Sequence, residues 1–177
     1  MASVVCMTRS MRLAAAGAAV LVAGAGVVMW PTSSSDETVT LGREDVLSVG
    51  VRDELRTRAV VAIENGAVKA YNWYDRACAV RVLGTDPPAV SRVIEARTVF
   101  VWAVCTSVGT GTESGSSGPV ALHLTDPPTA ETPEDGAYWW PSLKRIFPER
   151  LWRVRPSPND YEELGAQVRQ RVASRGR

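Results

Sequence analysis

The chain has a single histidine, His123, so no site that needs two imidazoles can be assembled from it. Its three cysteines, Cys6, Cys78 and Cys105, include no C-x-x-C pair, which excludes the common zinc modules. Lysine is nearly missing: Lys69 and Lys144 are the only two, and arginine supplies every other basic side chain. GC-rich coding produces that imbalance, so it carries no recognition meaning by itself. A basic surplus is also missing. The 20 Lys and Arg residues stand against 19 Asp and Glu, whereas a nucleic-acid binder needs an excess of positive charge. There is no internal repeat. The glycines of residues 109–118 fit neither G-x-G-x-x-G nor a Walker loop, and no lysine directly follows them, so they read as a hairpin loop. Ser116 and Ser117 lack the G-x-S-x-G elbow of a hydrolase nucleophile.

What is present starts with an address. The chain is 177 residues long, 45% hydrophobic and 22% charged, which suits one compact domain. Residues 1–12 carry Arg9 and Arg12, and residues 13–30 hold no charged or strongly polar side chain. As a helix that stretch spans about 27 Å, enough to cross a hydrocarbon core of roughly 30 Å. Arg9 and Arg12 precede it, and Asp36 and Glu37 follow it. The positive-inside rule then keeps residues 1–12 in the cytoplasm, makes 13–30 a single-pass transmembrane anchor and places everything after Trp30 outside the cell. Residues 31–45, opening with Pro31 and three serines, read as a flexible stem. The alternative is a cleaved signal peptide, with Leu13–Val22 as its apolar core and Ala23-Gly24-Ala25 as its cleavage site, giving a secreted protein. Either reading exports residues 36–177, and that part is near neutral, so bulk charge does not draw it to an anionic surface.

The exported part reads as an α+β domain: a helix packed on a small three-stranded antiparallel sheet, then two C-terminal helices. Leu47, Val51, Leu55, Ala59 and Ile63 recur every four residues over 46–65, the stripe of an amphipathic helix, with Arg52, Asp53, Arg56 and Thr57 mainly on its other face. Asn65-Gly66 stops it. Residues 67–83 alternate as a strand, with a bend at Asp75-Arg76. Asp86 before two prolines can cap a short helix ending at Glu95. Residues 98–108 are apolar on both faces, as in a central strand covered on both sides. Pro119 opens a third strand through Leu124, and the Pro-rich acidic stretch 126–136 reads as a surface connection. Pro141 starts a short helix that Pro148 ends. Asn159, with Glu162 three residues on, caps the last helix, whose stripe is Tyr161, Leu164, Val168 and Val172.

Cys78 and Cys105 fall on strands expected to be neighbours. Pairing Leu83 with Thr98 makes them diagonal, and a shift of one step sets them face to face, so a disulfide is expected in the oxidising space outside. The search for chemistry yields little else. His123 or Asp75 can serve as an acid/base in a cone-shaped pocket, but a strand histidine and a solvated bend are the plainer readings. Trp73, Trp102, Trp139 and Trp140 belong to an aromatic-rich set that can face a ligand or partner instead of the core. No residue set calls for a metal or cofactor.

Three stretches carry a resemblance. They are Phe100-Val101-Trp102-Ala103-Val104-Cys105, the loop end Ser117-Gly118-Pro119-Val120-Ala121-Leu122, and Ser142-Leu143-Lys144-Arg145-Ile146-Phe147-Pro148. Together they resemble a group of uncharacterised small exported or membrane-anchored proteins of high-GC bacteria, across about residues 46–155. The order of helix, then meander, is similar to that of cystatin-like, cone-shaped α+β domains. The Gln-x-Val-x-Gly hairpin of cystatin inhibitors is missing, and the resemblance implies no activity. The resulting expectation is a non-catalytic, membrane-anchored extracytoplasmic domain that binds a protein or small ligand. The alternatives are a small enzyme using His123 or Asp75, and a structural envelope protein. A pocket beside His123 or Asp75 favours the enzyme; the lack of any pocket, with every aromatic buried, favours the structural role.

Overall fold

The computed structural model describes residues 44–69, 75–109 and 114–175. The expected cytoplasmic start, the anchor over 13–30 and Trp73 lie outside these residues. Among the described residues no helix is long and apolar enough to cross a membrane.

Helix α1 (Val49–Glu64) begins at Ser48, whose hydroxyl accepts from the Val51 amide, and it ends at Asn65. Gly66 follows with a positive φ of 94°, a conformation side-chain-bearing residues rarely adopt, so Asn65-Gly66 acts as the stop its sequence predicts. Leu55, Ala59 and Ile63 form the fully buried stripe.

Four strands follow: β1 (Arg76–Asp86), β2 (Thr98–Ser107), β3 (Gly115–His123) and β4 (Thr129–Glu131). They form one antiparallel meander in the order β1-β2-β3-β4. The expected three-stranded sheet is therefore corrected to four strands. β4 was hidden in the Pro-rich connection because its three residues are too few to show alternation; pairing with Ala121, Leu122 and His123 makes it a strand. β1 starts after the bend at Asp75, and β3 starts at Gly115, inside the stretch expected to be loop. Pairing with β2 overrides the low strand preference of its Gly and Ser residues. Pro119 then sits mid-strand opposite Trp102. It is tolerated there because β4 covers only residues 121–123, leaving the other side of Pro119 an edge.

Both faces of the sheet are buried, as the apolar pattern of β2 predicts. Val80, Val99, Val101, Val120 and Leu122 meet α1 on one face. Ala79, Leu83, Phe100, Trp102 and Ala121 meet the C-terminal segments on the other. Each fully buried Val or Leu among them contributes about 1.5–3 kcal/mol. The C-terminal segments are α2 (Trp139–Ile146), with Pro141 in its first turn, and α3 (Pro158–Arg175). The cap of α3 is not Asn159 with Glu162. Ser157 and Asp160 exchange bonds instead: the Ser157 amide and hydroxyl donate to the Asp160 carboxylate at 2.7 and 2.6 Å, and the Asp160 amide donates back to the Ser157 hydroxyl. Pro158 then takes the first helical position, where no amide is needed.

A disulfide joins Cys78 to Cys105, which are directly opposed across β1 and β2 with Cα atoms 4.1 Å apart. Asp86, not Leu83, faces Thr98: the register lies one two-residue step from the expected one, and a bulge between Val82 and Gly84 adds the third residue. Gly84 is required there: a Cβ would stand 2.6 Å from Asp45 Oδ2.

Candidate functional site

The candidate site is a cleft along the outer edge of β1. It follows from the register. A Cα separation of 4.1 Å at the Cys78–Cys105 pair is the close spacing of a non-hydrogen-bonded position. The amide and carbonyl of Cys78 therefore point away from β2. Alternation turns those of Arg76, Val80 and Val82 the same way. β1 is the end strand of the sheet, so these groups need partners from elsewhere.

Most of them have one. At one end, Glu64 at the close of α1 accepts from the Cys78 amide at 2.9 Å, and Arg175 of α3 donates to the Arg76 carbonyl. Arg171 and Arg175 both pair with Glu64, so this end is a three-residue clamp joining α1 to α3. Burial pushes the Glu64 carboxyl up, but the Arg171 hydrogen bond, the Cys78 amide and the charges of Arg171 and Arg175 outweigh it and hold the carboxyl below its ordinary value. At the other end, the Asp45 amide donates to the Leu83 carbonyl, and the Asp45 carboxylate accepts from the Thr85 amide. Arg150 binds that carboxylate at 2.8 and 3.0 Å and donates to the Thr85 carbonyl at 2.6 Å. Arg81 bridges Glu44 and Asp160 beside it.

Between these clamps the backbone of Val80 and Val82 makes no hydrogen bond outside the β1–β2 ladder among the described residues. A cavity of about 230 Å³ lies over this stretch, and one of about 440 Å³ adjoins it over Cys78 and Ala79. They share Arg56 and Gln167 and so form one cleft. One wall is the Arg52, Arg56 and Val60 side of α1; the other is the Asp160, Leu164 and Gln167 side of α3. Arg52, on the face of α1 expected to lie opposite the buried stripe, is half-buried, and its Nε is buried with no hydrogen-bond partner among the described residues. Nothing local in the sequence marks it, because the far wall of the cleft comes from residues more than 100 positions later.

The residues singled out from sequence lie elsewhere, apart from Cys78, which forms part of the cleft floor. Asp75 is exposed and pairs with Arg175 at 3.0 Å. His123 is partly exposed at the end of β3. Its Nδ1 lies 3.0 Å from the Thr98 hydroxyl and its Nε2 2.9 Å from Glu131, a chain of contacts across β2, β3 and β4. Glu131 reaches His123 only through β4, a strand that the sequence pattern does not show. Neither Asp75 nor His123 lines this cleft. Trp102 is buried, donates to the Ser117 hydroxyl at 2.9 Å and meets Tyr161 edge-on at 5.9 Å. Trp102 and Trp139 line a gap of only about 10 Å³. Trp140 is exposed and meets Trp152 edge-on, with Lys144 lying 5.2 and 5.1 Å from the two rings. The chain's own cation thus fills the cation–π position there. Among the described residues no group of His, Cys, Asp and Glu side chains is arranged to hold a metal ion.

No family model, no curated protein and no solved structure matches this chain.

Proposed function

We infer that the chain is a non-catalytic, extracytoplasmic binding domain carried on the N-terminal anchor, and that its binding site is the α1–α3 cleft over β1. One observation carries the reading: a recessed stretch of strand edge whose outward backbone groups have no partner among the described residues, walled by two helices and closed by ion-pair clamps. An edge left open is a hazard unless something is meant to meet it, and here Glu64, Asp45 and Arg150 cover the rest of that edge. The Cys78–Cys105 disulfide supports export, since such bonds persist in oxidising compartments. The apolar run over 13–30 supports membrane attachment. The order of α1 followed by the meander supports the cystatin-like comparison at the level of the fold, and fold likeness supplies no activity.

The test is a nitrogen-15 NMR titration of the full chain in detergent micelles with N-methylacetamide and acetate as probes. The expected result is shifts that cluster at Val80, Val82, Arg56 and Gln167. Shifts scattered over the surface, or clustered at His123 or Asp75, contradict the reading.

A further inference from the structure

We propose that this cleft receives the free carboxyl end of a short extended peptide, which pairs with β1 through Val80 and Val82 and sets its carboxylate against Arg52 and Arg56. The inference rests on the cleft being the binding site and adds the class of ligand.

The floor decides the shape. Val80 and Val82 are only 2% and 4% exposed, so their outward amides and carbonyls lie at the bottom of a narrow slot. A ligand that reaches them must be slender and must offer donors and acceptors at strand spacing. An extended peptide backbone does both.

The ends decide the length. Glu64 with Arg171 and Arg175 closes the slot at Cys78, and Arg81 with Glu44 and Asp160 closes it near Val82. The open stretch between them accommodates about four residues at roughly 3.3 Å each. A longer chain cannot run through, so the peptide ends inside.

The charge decides which end. Arg171 is committed to Glu64 and Arg81 to Glu44 and Asp160, while Glu163 on the α3 wall holds Gln167 at 3.0 Å. Arg56 has an exposed pair with Asp53 at 3.2 Å, and Arg52 Nε has no acceptor among the described residues. Glu163 keeps its charge, since a neutral amide does not offset it, so what selects the ligand is the buried Arg52 Nε–H, a donor with no acceptor among the described residues and costly to leave unpaired. A terminal carboxylate supplies two acceptor oxygens and the matching sign; a terminal ammonium supplies neither.

The test compares N-acetyl-Ala-Val-Ala-Val as the free acid and as the C-terminal amide, each titrated into the labelled full chain in micelles. The free acid is expected to shift the Val80 and Val82 amides and the Arg52 Nε–H, and to bind roughly tenfold more tightly than the amide. Arg52→Ala is expected to erase that preference while the chain stays folded, as a cooperative thermal melt checks, because the buried Arg52 Nε makes no hydrogen bond among the described residues. Equal binding of acid and amide overturns the proposed ligand class and leaves the cleft as a site. Shifts confined to the Trp140–Trp152 pair, or no shift from any probe at the cleft, overturn both readings.

Discussion

Glu64 shows how much one side chain can hold. Its carboxylate accepts from the Cys78 amide and pairs with two arginines of α3, so it joins the end of α1, the edge of β1 and the last helix. Its proton affinity is lowered on folding, so as the pH falls the unfolded chain takes up the proton first and acid favours unfolding. The stabilisation is full above the ordinary carboxylate range and is lost as the pH drops through the lower value of the folded chain. Glu64→Gln is expected to lower stability by about 1–3 kcal/mol at neutral pH, with the difference from the parent shrinking toward pH 3. Urea unfolding of both chains over that range checks it; a constant difference would contradict the assignment. None of this is legible in sequence. Glu64 reads there as one acid at the end of a helix, and Arg171, its partner, lies 107 positions away. The two cysteines are legible, because they sit on neighbouring strands of strong alternation and differ from the true pairing by one step of register.

At the scale of elements, apolar period located the helices and β2, and local chemistry set their ends less reliably. Asn159 with Glu162 has the right spacing for a cap, but Ser157 with Asp160 has it as well, two residues earlier, and leaves Pro158 where proline fits best. The Ser157 hydroxyl, then its amide and the charge of Arg81, hold the Asp160 carboxyl below its ordinary value despite partial burial. Ser157→Ala is expected to cost about 1 kcal/mol, and Asn159→Ala less than about 0.5 kcal/mol. Thermal melts of the two variants distinguish the caps, and the reverse ranking would restore the Asn159 assignment. The missed elements share a cause. The Gly and Ser residues opening β3, and the three residues of β4, have little strand preference of their own; β2 and β3 impose it on them. The bulge at Val82–Gly84 is equally silent, since Gly84 is needed for the approach of Asp45, a residue outside the strand.

Across the whole described domain, the edge of β1 connects fold to function. The sheet is buried on both faces, α1 and α3 flank its end strand, and long-range ion pairs close the gap between them except over Val80 and Val82. The cleft could not be read in advance, because its two walls are far apart in sequence and each taken alone looks like a solvated helix face. What could be read in advance is the compartment, and the whole account depends on it. The most direct measurement blocks free thiols in intact cells with an alkylating reagent during lysis, then maps the peptides without reduction. The account predicts that Cys78 and Cys105 are recovered as one linked pair without label. Recovery of both as labelled, separate thiols would place the domain in a reducing compartment and contradict it.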